Sequence, residues 1–154
     1  MKGDSRVIEL LNEYLQIELT GHKQYLLAAA TFERWGLTRL RDAERAYSHE
    51  ETDHAAVILH RILLLEGTPN LSDAGAVSAP ASTTEQLRRD EALVTRAIVQ
   101  LRGAVGHAAS VGDDGSRALL EHMLVDEEKH LDWLEQQLGL IATLGDKLYS
   151  HAQI

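Results

Sequence analysis

The sequence lacks cysteine altogether and contains few proline or aromatic residues. The absence of cysteine excludes disulfide bonds, thiolate metal sites and cysteine nucleophiles. Among 154 residues there are 2 prolines and 5% aromatic residues, whereas 44% are hydrophobic and 25% are charged. This composition favours helix over sheet and argues against an intrinsically disordered chain. The length suits one domain with a sizeable core, so we expect a single domain over residues 1–154.

Long apolar runs and an excess of positive charge are also missing. No run reaches the length of a membrane span, and acidic residues interrupt the opening segment MKGDSRVIELLNEY where a secretory signal would be apolar. The net charge of −9 disfavours nucleic acid as a partner, because phosphate binding needs clustered lysine and arginine. We therefore expect a cytoplasmic protein that binds neither membranes nor nucleic acid.

Apolar residues recur at helical spacing over most of the chain. The pattern predicts four long helices and a short one: Ser5 to about Trp35, Thr38 to Glu66, a third from Thr83 or Thr84, a fourth that follows Gly112–Gly115 and ends near Gly145, and the last within 146–154. Asp4 or Ser5 is the expected N-cap of the first helix, and a threonine is the expected cap of the third.

The lengths of the connections predict how these helices are arranged. Short turns at Gly36 and at Gly112–Gly115 make two antiparallel helical hairpins. The segment GTPNLSDAGAVSAPAS between the hairpins has no helical period and is long for a helix–helix connection. Two hairpins joined by one long crossover make a ferritin-like four-helix bundle. We therefore predict an all-α fold of this kind, with the crossover between the second and third helices and a short C-terminal fifth helix.

Side chains of the metal-binding type interrupt the apolar stripes of three helices. Glu51 and His54 are three residues apart on the second helix, and Glu127 and His130 repeat this spacing on the fourth, so each pair projects from one face. Glu18 lies on the stripe of the first helix. A single Glu-x-x-His is usually a solvated surface pair, but two at matching depths with an inward glutamate favour a metal site. Oxygen and imidazole ligands without thiolate suit iron or manganese.

Several segments together carry a resemblance to a known family. They are MKGDSRVIELLN at the start, ELTGHKQY at 18–25, WGL at 35–37, ILLLEGTPNLSDAG at 62–75, DEEKHLDWLE at 126–135 and HAQI at the end. In this order and at these separations they resemble bacterioferritin over nearly the whole chain. The resemblance implies a hollow 24-subunit shell that oxidises Fe(II) with oxygen or peroxide at a di-iron site in each subunit and stores ferric mineral. It also implies the di-iron ligands: Glu18, Glu51, His54, Glu127 and His130.

Two residues depart from the family pattern. Val94 stands where bacterioferritins have a glutamate that bridges the two irons, so we expect the second iron to be held less firmly and the ferroxidase to be atypical. Thr52 stands where the family has the methionine that binds haem between two subunits; a hydroxyl is a poor ligand for haem iron, so we do not expect a homodimer to bind haem. Either Glu91 or His22 is a possible replacement ligand, although His22 also suits a hydrogen-bonded interface position. Tyr25 resembles the tyrosine beside the iron site, where it supplies a hydrogen bond or an electron.

Three functions follow from these residues. The first is an iron-storage subunit of a homo-oligomeric shell, with a ferroxidase site altered by Val94. The second is a catalytically weak accessory subunit that co-assembles with a second bacterioferritin chain carrying the missing glutamate or methionine. The third is a related bundle enzyme that consumes peroxide without building a mineral core. His49 and Glu50, which precede the Glu51 motif, are either loose iron-transfer sites or part of a solvated helix face.

Overall fold

A computed structural model describes residues 1–154, and it is entirely helical outside its loops. The helices are α1 Ser5–Trp35, α2 Thr38–Leu64, α3 Thr83–Ser110, α4 Asp114–Leu144 and α5 Asp146–His151. Helix α1 packs along α2 and α3 packs along α4, while α1 also contacts α3 and the short α5 rests on α4 and α3. The predicted ferritin-like bundle with a short fifth helix is confirmed. None of the five helices has both the length and the apolar character to cross a bilayer.

The ends of the first two helices follow from capping residues and glycines. The side chain of Asp4 accepts a hydrogen bond from the amide of Val7 at 3.0 Å and begins α1. Gly36 ends α1 with a φ of 78°, a left-handed conformation that favours glycine. Helix α2 ends at Leu64, short of the predicted Glu66, because Glu66 itself takes a left-handed φ of 61°.

The N-terminus of α3 differs from its prediction. Ser82, not a threonine, caps the helix by accepting a hydrogen bond from the amide of Glu85 at 3.1 Å. The carboxylate of Glu85 in turn accepts from the amide of Ala81, the residue before the cap, at 2.8 Å. Thr83 uses its hydroxyl to donate to Asp146 at 2.9 Å. The threonine therefore joins α3 to α5 instead of capping α3.

The crossover between α2 and α3 is attached to α1 along its path. The amide of Asn70 donates to the side chain of Asn12 at 2.7 Å, and the amide of Gly75 donates to the hydroxyl of Thr20 at 2.8 Å. These bonds satisfy backbone groups of a segment that has no helix or strand of its own. The chain thus returns along α1 before α3 begins, as the predicted crossover requires.

Two apolar clusters fill opposite ends of the bundle. One includes Leu11 and Leu15 of α1 and Leu120 of α4, and the other includes Phe32 of α1 and Leu134 of α4. Between them each of these helices contributes buried polar side chains, Glu18 from α1 and Glu127 and His130 from α4. The candidate ligands therefore form a polar belt at mid-height, enclosed by low-dielectric walls that strengthen electrostatic interactions.

Candidate metal centre

Four metal-ligand side chains from three helices meet in the polar belt. One donor atom from each of Glu18, Glu51, His54 and Glu127 lies within 4.8 Å of the others. Oxygen and nitrogen ligands about 2.1 Å from one cation lie up to roughly 4.2 Å apart, so small movements bring the four donors onto a single ion. The three carboxylates are at most 5% exposed. The geometry thus fits a buried cation site, and its oxygen and nitrogen donors suit iron.

Hydrogen bonds within the group leave part of it without a partner. Nδ1 of His54 lies 3.0 Å from Oε2 of Glu18, and the hydroxyl of Tyr14 donates to Oε1 of Glu127 at 3.0 Å. Oε1 of Glu18 is buried and has no hydrogen-bond partner. A buried carboxylate oxygen without a partner is strongly destabilising unless a proton or a cation compensates it.

Burial changes the protonation of these carboxylates. It raises the pKa of Glu18 to about 8 and that of Glu127 to about 8, and it raises the pKa of Glu51 well above its ordinary value. Proximity of the carboxylates to one another adds to the effect, because neighbouring negative charges favour the neutral forms. The metal-free group therefore holds protons near neutral pH. A cation that binds there displaces them.

His130 and Tyr25 lie beside the four-donor group and not within it. The ring of His130 is 4% exposed and stacks on Tyr47, with ring centroids 3.4 Å apart and planes at 11°. The ring of Tyr25 meets the same imidazole in a T-shaped contact at a centroid distance of 5.3 Å. Burial lowers the pKa of His130 to about 3, so the imidazole is neutral and has a lone pair to offer a metal. One turn before it, Glu127 shares its helix face, and the two can serve a second cation next to the first.

Helix α3 supplies no ligand to the group. Val94 is 1% exposed and lines a small void together with Glu51 and Glu127. Its isopropyl group faces the carboxylates at the position from which a fourth helix would reach the centre. Glu91, one of the two possible replacements, is only partly buried and does not join the donor group.

The other possible replacement, His22, is held between α1 and α2. Its Nδ1 lies 3.1 Å from the carbonyl oxygen of Ser48 and 3.0 Å from the hydroxyls of Ser48 and Thr52. A carbonyl oxygen only accepts, so Nδ1 carries the proton in this contact. Thr52 donates its own hydroxyl proton to the same carbonyl at 3.1 Å. His22 and Thr52 therefore form one hydrogen-bonded unit, and His22 does not join the donor group.

A second group of potential ligands adjoins the first and was not predicted in full. It consists of Glu50, His54 and Asp126, all partly buried. Nε2 of His54 lies 3.5 Å from Asp126, whose other oxygen accepts from Lys129 at 3.0 Å. His122, four residues before Asp126 and 3.5 Å from it, was a sequence signal for this cluster. The imidazole of His54 thus faces a carboxylate with each of its nitrogens.

A further pair of buried acids, Glu44 and Asp90, was also missed. Both are at most 1% exposed. Gln24 and Gln86 donate to one oxygen of Asp90 at 2.6 and 2.7 Å, whereas both oxygens of Glu44 are buried without a partner. Burial raises the pKa of Asp90 to about 7 and that of Glu44 well above its ordinary range. The pair therefore retains a proton near neutral pH. In the sequence, the four-residue spacing of Gln86 and Asp90 indicates that these two side chains can meet on one face of α3.

Known proteins resemble this chain over nearly its full length. The ferritin-like domain family matches residues 8–144. A bacterioferritin of Mycobacterium leprae is 40% identical over 150 residues, which cover 97% of this chain and 94% of that protein. A bacterioferritin of Streptomyces coelicolor is 42% identical over 149 residues, covering 97% and 89% of the two chains. One from Rhodobacter capsulatus is 41% identical over 145 residues, covering 94% and 90%.

Proposed function

Because this chain belongs to the bacterioferritin family, we propose that it is a cytoplasmic iron-storage subunit of a hollow oligomeric shell, with residues 1–154 forming its one domain. It oxidises Fe(II) at a site within each subunit and passes the ferric product to a mineral. The main support is the buried group of Glu18, Glu51, His54 and Glu127. Three buried carboxylates at one place need positive charge to offset the loss of hydration.

The side chains have distinct tasks in this reaction. The carboxylates release their protons and bind Fe(II) as the substrate, with Glu51 between two ions and Glu18 and Glu127 each at one end. His54 supplies one nitrogen, and His130 supplies another to the second ion. Carboxylate oxygens are hard, anionic ligands and stabilise Fe(III) more than Fe(II), because the attraction grows with the charge of the cation. The site therefore favours transfer of electrons from iron to oxygen or peroxide.

Val94 makes this ferroxidase atypical. Two cations about 3.5–4 Å apart repel each other, and a carboxylate that bridges them offsets part of this repulsion. Val94 contributes neither charge nor a ligand, and Glu91, the possible replacement on α3, is outside the group. We propose that the first iron binds more tightly than the second. Oxidation is then slowed because the second iron is often not bound.

The central experiment measures iron oxidation by the purified shell. Fe(II) is added anaerobically in increments, and oxygen or peroxide is then admitted while ferric absorbance is recorded. An oxidation phase that saturates at about two irons per chain, with the second iron needing more Fe(II) to fill than the first, supports the proposal. The double variant Glu127→Ala/His130→Ala should lose this phase and the bound metal while the shell still assembles. Glu121→Ala, an exposed change on the same helix, is the matched control. Unchanged metal content in the double variant would contradict the site.

A catalytically weak accessory subunit is the second candidate. Its support is that this chain has an apolar residue at Val94 and a hydroxyl at Thr52, the positions at which the resemblance places a bridging glutamate and a haem methionine. In that case the homo-oligomer shows only slow, unsaturated mineral growth. Co-expression with a bacterioferritin that has the glutamate then yields mixed shells, and native mass spectrometry measures their composition. Exclusive homo-oligomers with a saturable oxidation phase would exclude the accessory role.

A further inference from the structure

We propose that Tyr47 is the positioning residue that fixes the plane of the His130 imidazole at the metal centre. The inference rests on the proposed function, since it concerns how His130 reaches a second cation. Tyr47 lies on α2, one turn before Glu51, and His130 lies on α4. The contact therefore joins the two helices that carry the Glu-x-x-His motifs.

The rings of two tyrosines contact the imidazole of His130 on different sides. The rings of Tyr47 and His130 are nearly parallel, 11° apart, at a centroid distance of 3.4 Å. On another side Tyr25 meets the imidazole at 68°, edge to face. Beside these rings, the indole of Trp133 packs against the phenol of Tyr47 at a centroid distance of 5.4 Å and lies 6.3 Å from the imidazole. The imidazole is thus restricted by Tyr47 on its face and by Tyr25 at its edge.

The two histidines of the centre are oriented in different ways. A metal-binding histidine usually donates its second ring N–H to an oxygen acceptor, which fixes the ring. His54 has a carboxylate at each ring nitrogen: Oε2 of Glu18 lies at hydrogen-bond distance, 3.0 Å, from its Nδ1, and Oδ2 of Asp126 lies 3.5 Å from its Nε2. The polar contacts at the centre join Tyr14 to Glu127 and His54 to Glu18 and Asp126. None of them involves the ring of His130. Stacking on Tyr47 takes the place of that hydrogen bond.

The orientation of His130 matters more in this chain because of Val94. A nitrogen ligand binds metal through a lone pair that lies in the ring plane. With the imidazole held parallel to Tyr47, its nitrogen lone pair is confined to one plane, and less freedom is lost when a cation binds. Since α3 gives no ligand to the four-donor group, the second cation depends on His130 and on carboxylates shared with the first. Loosening His130 should therefore weaken the second cation and spare the first.

The test replaces the ring of Tyr47 and measures binding of Co(II) by anaerobic titration, followed by its visible absorption. Tyr47→Leu removes the stack, and the second Co(II) should bind about 3- to 10-fold more weakly, the size expected for one aromatic pair. Tyr47→Phe keeps the ring and should bind within about 2-fold of the unmodified chain. Tyr47→Met, unbranched and flexible, serves if the leucine variant does not assemble. Affinity for the first Co(II) should not change in any of them.

A double-mutant cycle separates positioning from a general structural effect. His130→Ala is combined with Tyr47→Leu, and the double variant should then bind the second Co(II) as tightly as the His130→Ala variant does. Additive losses, equal weakening of both cations, or equal losses in the leucine and phenylalanine variants would each overturn the proposal. So would binding of a single Co(II) by the unmodified chain. Co(II) titration needs no oxidation, so it tests the role of Tyr47 separately from the proposed function. A shell that binds two cations but fails to oxidise iron would contradict the proposed function and would still support the role of Tyr47.

Discussion

Val94 is the residue at which this chain departs most from a complete di-iron centre. Val94→Glu places a fourth carboxylate against Glu51 and Glu127, which line the same void. Without metal this should destabilise the protein, because another buried acid must stay protonated. With metal, the second Co(II) should bind about tenfold more tightly or better, because the new carboxylate offsets repulsion between the ions.

The matched control is Val94→Gln, which has the same shape as the glutamate variant but no charge. Calorimetric titration with Co(II) compares the three proteins. If glutamine tightens the second cation as much as glutamate does, the effect comes from shape and not from charge. If glutamate leaves the second cation unchanged, α3 does not face the ion at this position.

For single residues, the sequence predicted which side chains share a face of one helix, but not which side chains meet across two helices. Glu51 with His54, and Glu127 with His130, share a helix face by their spacing alone, whatever the neighbouring helices do. Tyr47 and Asp126 touch the two histidines across a helix interface, and that contact depends on the rotation of each helix about its axis. The pattern of apolar residues fixes this rotation only coarsely. Asp126 was therefore left unassigned, and the stack of Tyr47 on His130 was not predicted.

Among the elements, the crossover was predicted from its length and composition, but its attachment to α1 was not. Asn12 holds it with both ends of its amide: its oxygen accepts from Asn70, and its nitrogen donates to the carbonyl of Thr68 at 3.1 Å. Such bonds join residues far apart in sequence and leave no periodic signal. The ends of helices were better predicted, except where Ser82 displaced a threonine as the cap of α3.

Asn12→Ala should loosen the crossover without unfolding the bundle. The variant leaves the amide of Asn70 without its acceptor and should destabilise the local structure by about 1–2 kcal/mol. Hydrogen exchange followed by mass spectrometry should then be faster over 68–75 and unchanged over α3. Glu13→Ala, an exposed change beside Asn12, is the control. Equal acceleration across all helices would indicate global destabilisation and contradict a local role.

For the whole molecule, the ferritin-like bundle was predictable because four apolar stripes and three connection lengths leave few other arrangements. The two apolar clusters stabilise the bundle, and the polar belt between them works against it. In the metal-free protein the belt and the pair of Glu44 and Asp90 bury five acids. Stability should therefore depend on pH and on bound cations together.

The sign of that dependence follows from the pKa values. Glu18 and Glu127 have pKa values raised to about 8, and Asp90 to about 7, so the folded chain holds protons that the unfolded chain has released. His130, whose pKa is lowered to about 3, acts in the opposite sense only below its ordinary value of 6.5. Between about pH 6.5 and 8 the metal-free shell should lose stability as pH rises, and above about pH 8 the loss from these three groups should level off.

Scanning calorimetry of the shell at several pH values measures this loss as a fall in the unfolding midpoint. Co(II) should remove most of the slope and raise the midpoint more at pH 8 than at pH 6.5, because the cation replaces the protons at the centre. Asp90→Asn should remove only the part of the slope due to the Glu44–Asp90 pair, and it should leave the response to Co(II) intact. A metal-free midpoint that rises across this interval would mean that the carboxylates are ionised and stabilised in the folded protein without a cation. The buried donors would then lack the proton-for-metal exchange on which the proposed iron chemistry depends.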